Sequence, residues 1–91
     1  MTANSKNKHR LAEIRQRLQT AFAPGLLIVE DDSHKHIGHA GAKSGKGHFT
    51  VTIHAEAFQD CALRTSHQKI YQALDDLMEN DIHALSIKIE K

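Results

Sequence analysis

The sequence predicts an α+β domain of order αββααβ, in which a three-stranded mixed sheet carries its helices on one face. Three observations lead there. Apolar residues step by three and four in two stretches, the signature of amphipathic helices, and alternate with polar residues in two others, the signature of half-buried strands. A spacer of about thirty residues separates those two strands, enough for a helical crossover and a parallel pairing. A further apolar run lies upstream with no helical pattern after it, so it pairs most simply as the antiparallel arm of a hairpin.

Taken in order, Leu11, Ile14, Leu18, Ala21 and Phe22 form one stripe of a helix over residues 8–22, and Arg10, Glu13, Arg15, Arg17 and Gln19 form the opposite face. Asn4 or Ser5 is placed to cap its start. Pro24-Gly25 ends it, because proline cannot continue the hydrogen-bond ladder. Residues 1–7 have nothing to bury and read as a disordered N-terminal tail, leaving 8–91 as a single domain. Leu26-Leu27-Ile28-Val29 is a short branched run, predicted as a strand partly covered on both faces.

From His48 to Ile53 the chain alternates, with Phe49, Val51 and Ile53 inward and Thr50 and Thr52 outward. The period then changes. Ala55 to Phe58 suits one helical turn, and a helix from Ala62 to about Met78 aligns Leu63, Ile70, Tyr71, Leu74, Leu77 and Met78 on one face. Thr65 or Ser66 offers an alternative cap for it, and Asn80 a stop. Last, Leu85, Ile87 and Ile89 alternate with Ser86, Lys88 and Glu90, a one-sided strand. His83 is in phase with the apolar set and is expected to start on that side.

Between the first two strands lies Asp31 to Gly47, where apolar periodicity stops and His34, His36 and His39 fall within six residues. Eight histidines stand against a single cysteine, Cys61, which excludes an internal disulfide and any multi-cysteine metal site made by this chain alone. Net charge is +1 with histidine neutral, an argument against strong sequence-independent DNA binding. The charge is uneven: residues 1–53 carry eight Lys or Arg against four acids, and residues 54–91 carry four against seven. No stretch approaches the roughly 20 apolar residues that span a bilayer, and the polar N-terminus has no apolar signal core, so the expected location is cytoplasmic.

Several segments together resemble the BolA family: Asp32-Ser33-His34-Lys35-His36, Gly47-His48-Phe49, Phe58 with His67 and Ile70-Tyr71 behind it, and Ile82-His83-Ala84-Leu85. The resemblance covers nearly the whole chain and keeps the element order. It implies an αββααβ fold similar to a type II KH domain. It also implies a role in iron handling, through a heterodimer with a monothiol glutaredoxin in which a two-iron two-sulfur cluster is shared. By the same resemblance His83 is the cluster-facing histidine, His36 is the ligand in the first strand-to-strand loop with His34 and His39 as alternatives, and His67 is the histidine of a helix-turn-helix-like segment.

The chemistry is consistent with that expectation. Iron in such clusters is held mainly by thiolates, with imidazole able to replace sulfur at one iron. A chain with one cysteine cannot supply four ligands, but it can lend one or two neutral imidazoles to a cluster whose remaining ligands come from a partner thiol and glutathione. This reading makes the protein an adaptor and not an enzyme. A Cys61–His67 nucleophile lacks any orienting third group that the sequence can place.

The alternative, also associated with the family, is a stress-linked transcriptional regulator of cell shape. It would bind nucleic acid on the KH-like scaffold, with Lys43, Lys46, Arg10, Arg15 and Arg17 neutralising phosphates. Against it, the segment from Gln59 to Ser66 has no glycine where a KH domain has its Gly-x-x-Gly clamp, and Ser66 and Gln68 stand where relatives often have arginines. The partners implied are therefore the glutaredoxin, with DNA and a weak homodimer as alternatives, and no membrane.

Overall fold

A computed structural model describes residues 2–32 and 47–91, with side chains from Asn7 onward. The elements are α1 (Thr2–Phe22), β1 (Leu26–Asp31), β2 (Gly47–His54), a 3-10 turn (Glu56–Phe58), α2 (Leu63–Leu74), α3 (Asp76–Asn80) and β3 (Ile82–Ile89). The sheet order is β1-β2-β3. β1 runs antiparallel to β2, with Val29 opposite Val51, and β3 runs parallel to β2, with Ile87 opposite Val51. This is the predicted mixed sheet. Ile14 and Leu18 of α1, Ile70 and Leu74 of α2, Phe58 of the turn, and Val29, Phe49, Val51, Ile53 and Ile82 of the strands make the buried core.

Local departures from the sequence reading each have a physical cause. The helix of α1 begins at Thr2, so Asn4 and Ser5 lie within it and do not cap a start at residue 8. It ends with Ala23 at φ 44°, whose N–H donates to the Gln19 carbonyl at 3.0 Å, one residue before Pro24. In β1 only Leu27 and Val29 turn inward. Leu26 and Ile28 are 40% and 44% exposed, so this edge strand is covered on one face and not on both.

The second helix starts at Leu63 with Ala62 in extended geometry before it and no side-chain cap. Ser66 lies inside that helix, fully buried in line with Ile70 and Leu74 at four-residue steps, so neither it nor Thr65 is the cap. Its hydroxyl has no partner among the described residues. At Asp75, with φ 49° and ψ −120°, the chain breaks out of helical geometry and splits the predicted single helix into α2 and α3. The break lets Leu77 turn into the core.

Cations close the exposed ends of this framework. Arg17 Nη1 donates to the Leu74 carbonyl at 2.7 Å and to Asp76 at 2.8 Å, tying α1 across the α2–α3 break. That hydrogen bond holds the Asp76 carboxyl below the usual carboxylate range and raises the Arg17 guanidinium. Arg10 Nε reaches Asp81 at 3.0 Å, ahead of β3. Lys91 Nζ donates to the carbonyls of Phe58, Gln59 and Cys61 at 3.1, 3.4 and 3.4 Å, fastening the 3-10 turn to the end of the chain. Among the described residues no helix is long and apolar enough to cross a membrane.

Candidate functional site

The β2–β3 ladder has one irregularity, and it falls at a histidine. Gly47 lies opposite Ile82 and His48 opposite Ala84, which leaves His83 as an extra residue on β3. Such a bulge bends the strand and re-aims a side chain. Ile82 takes the core position at 3% exposure, while His83 is exposed. The phase counted back from Leu85 put His83 on the apolar side. The bulge corrects that expectation, because the alternation of Leu85, Ile87 and Ile89 holds only on the C-terminal side of the inserted residue.

His83 does not stand alone on this corner. Its ring meets that of His48 at a centroid distance of 5.0 Å and an interplanar angle of 49°. His48 is 7% exposed and both of its ring nitrogens are buried, so one imidazole forms a wall and the other faces outward. The surrounding backbone is tightly tied. The Asp32 N–H donates to the His48 carbonyl at 2.7 Å, the Thr50 hydroxyl donates to the Asp32 carboxylate, and the Gly47 N–H donates to the Asp81 carbonyl at 2.9 Å. Gly47 is needed for this closeness, since a Cβ there would be driven into the Phe49 ring with Asn7 Oδ1 only 3.3 Å away. Thus the end of β1, the start of β2 and the start of β3 converge on one corner of the sheet.

Of the residues the sequence nominated as ligands, His83 is on this corner, and His34, His36 and His39 lie outside the described residues, as do Lys43 and Lys46. Among the described residues no three histidine, cysteine or carboxylate side chains converge on a point that could hold an ion. His48 heads the alternating run and falls in the Gly47-His48-Phe49 segment of the family resemblance, but neither gives it a role in a site. Only the pairing of β2 with β3 brings it to His83.

The other candidates are dispersed. Arg10 and Arg17 are engaged by Asp81, Glu13 and Asp76, and Arg15 Nη1 donates to the Leu27 carbonyl at 3.3 Å on the β1 side, so the three do not form one cationic stripe. Cys61 Sγ donates to the Ala57 carbonyl at 3.1 Å and accepts from Lys69 Nζ at 3.1 Å. His67 meets Tyr71 edge-on at 6.5 Å, and its Nε2 is buried without a partner among the described residues. Cys61 and His67 are thus turned to different neighbours, which does not assemble a nucleophile pair.

Comparison with known proteins adds a family to this geometry. The family model described as BolA-like protein matches residues 18–91. The chain is 35% identical over 83 residues to the chloroplastic protein BOLA1 of Arabidopsis thaliana, a match covering 88% of this chain and 52% of that protein. It therefore spans about half the length of that relative. It is 34% identical over 76 residues to the DNA-binding transcriptional regulator BolA of Haemophilus influenzae, covering 84% of this chain and 71% of that one. Among solved structures, the BolA domain of SufE1 from Arabidopsis thaliana superposes with a TM-score of 0.79 at 38% identity, covering 89% of this chain and 90% of that domain.

Proposed function

The chain belongs to the BolA family, and from that premise we propose that it is an adaptor that pairs with a monothiol glutaredoxin and lends histidine ligands to a two-iron two-sulfur cluster shared between them, acting in cluster trafficking or iron regulation. The observation that carries the reading is His83: the bulge on β3 lifts its imidazole out of the core side and leaves it exposed at a corner where a partner can approach. The residues present fit such a role. An exposed neutral imidazole is a competent iron ligand, and a chain with one cysteine, whose thiol is turned to Ala57 and Lys69, needs a partner to complete the set. His83 would hold the cluster from this chain together with one histidine of the connection between β1 and β2, His36 ahead of His34 and His39. Imidazole in place of thiolate raises the potential of the iron it binds, which is the chemistry such a ligand supplies.

The test is direct. Adding the protein to a cluster-loaded monothiol glutaredoxin is expected to change the visible circular dichroism of the cluster, and His83→Ala is expected to remove most of that change. An unaltered spectrum with the wild-type chain refutes the adaptor reading. The second reading, nucleic-acid binding, is favoured by the name of the Haemophilus influenzae relative. It is weakened by the carboxylate partners of Arg10 and Arg17. It predicts a gel shift that falls steeply with salt and survives His83→Ala.

A further inference from the structure

We propose that His48 is a positioning residue for His83, holding the exposed imidazole in its outward orientation by ring contact and not by coordination. The inference rests on the adaptor reading, in which His83 is the ligand, and adds to it a residue with no contact to the metal. Two facts point to this division of labour. The rings lie 5.0 Å apart, within the 4.5–7 Å range of favourable ring pairs. The two also differ in access, since His83 is exposed while both ring nitrogens of His48 are buried.

The need for such a wall follows from the bulge. An extra residue in a ladder is not fixed by cross-strand pairing, so the χ angles of His83 are not set by the sheet. A side chain that must be ordered when the partner docks weakens binding by the entropy it loses, and one already held against a buried neighbour loses less. His48 can do this because its own backbone is fastened, with its carbonyl accepting from Asp32 and the preceding residue donating to Asp81. The contact is between two tilted rings and uses no ring-nitrogen hydrogen bond between them, so an apolar aromatic of similar shape should serve.

The test compares His48→Phe with His48→Ala in the full chain. In the free protein, proton NMR should show cross-peaks between the His48 and His83 rings. In His48→Ala the His83 ring resonances should move to those of an unhindered imidazole, and in His48→Phe they should stay displaced by the neighbouring ring. In titrations of cluster-loaded monothiol glutaredoxin read by visible circular dichroism, His48→Ala should weaken binding about three- to tenfold, the range expected for freeing one side chain, and His48→Phe should restore it to within about twofold. A folded His48→Phe that binds as poorly as His48→Ala overturns the proposal, because a ring nitrogen is then required. So does a His48→Ala that binds like wild type. If the wild-type chain leaves the glutaredoxin spectrum unchanged, the adaptor reading fails by itself, and the absence of ring cross-peaks in the free protein separately sinks the positioning role.

Discussion

Gly47→Ala tests how tightly the corner is built. The added methyl would meet the ring of Phe49, which is 1% exposed, so either the ring leaves its rotamer or β2 shifts against β3. Overpacking of that kind costs about 1–3 kcal/mol. Replacing glycine also stiffens the unfolded chain, which returns about 0.4–1 kcal/mol. The net expectation is a loss of about 1.5 kcal/mol, and at roughly 4–8 °C per kcal/mol for a domain of this size the melting temperature falls by about 6–12 °C. The assay is urea and thermal unfolding followed by far-UV circular dichroism. Repeating Gly47→Ala in a Phe49→Leu background should shrink the penalty, since the smaller side chain vacates the space the methyl needs. An alanine variant as stable as wild type, or a penalty unchanged by Phe49→Leu, refutes the packing argument.

Three further outcomes are expected. Ala23 sits at φ 44°, where a Cβ is strained, so Ala23→Gly should raise stability by up to about 1 kcal/mol in urea unfolding despite the added chain entropy. Asp75, at φ 49° and ψ −120°, is in a region suited to glycine, so Asp75→Gly should raise the urea midpoint by the equivalent of about 1 kcal/mol, and a fall would refute the strain. The Arg17 hydrogen bond lowers the Asp76 carboxyl in the folded state, so its stabilisation is full above the ordinary carboxylate value and is lost as pH falls through the lowered one. Wild type should therefore exceed Asp76→Asn in urea midpoint at neutral pH and lose that advantage below about pH 4, and a constant gap at pH 2.5 would count against the pair.

How much of this could be read from the residues depends on whether a local period reports the feature. The element order and sheet topology follow from runs such as Phe49, Val51 and Ile53 and from the length between β2 and β3, and the structure has both. The bulge was invisible because Leu85, Ile87 and Ile89 keep their alternation on one side of it, and nothing in Ile82-His83-Ala84 marks the slip. The break at Asp75 was invisible for a related reason. Leu74, Leu77 and Met78 fit a continuous helix, and only the positive φ, held by Arg17 from a distant helix, shows that they belong to two. His48 was passed over because its importance depends on a neighbour 35 positions away, and pairing of that range leaves no trace in a window of a few residues.

The convergence of Asp32, Gly47 and Ile82 has an engineering reading. Chain positions 32 and 47 leave and re-enter the sheet beside one another, each anchored by its own backbone hydrogen bond, to His48 and to Asp81. A connector spliced between two such fixed posts begins and ends where the frame already holds the backbone. A library of connectors grafted between those posts could therefore be screened for metal binding with both ends held in place.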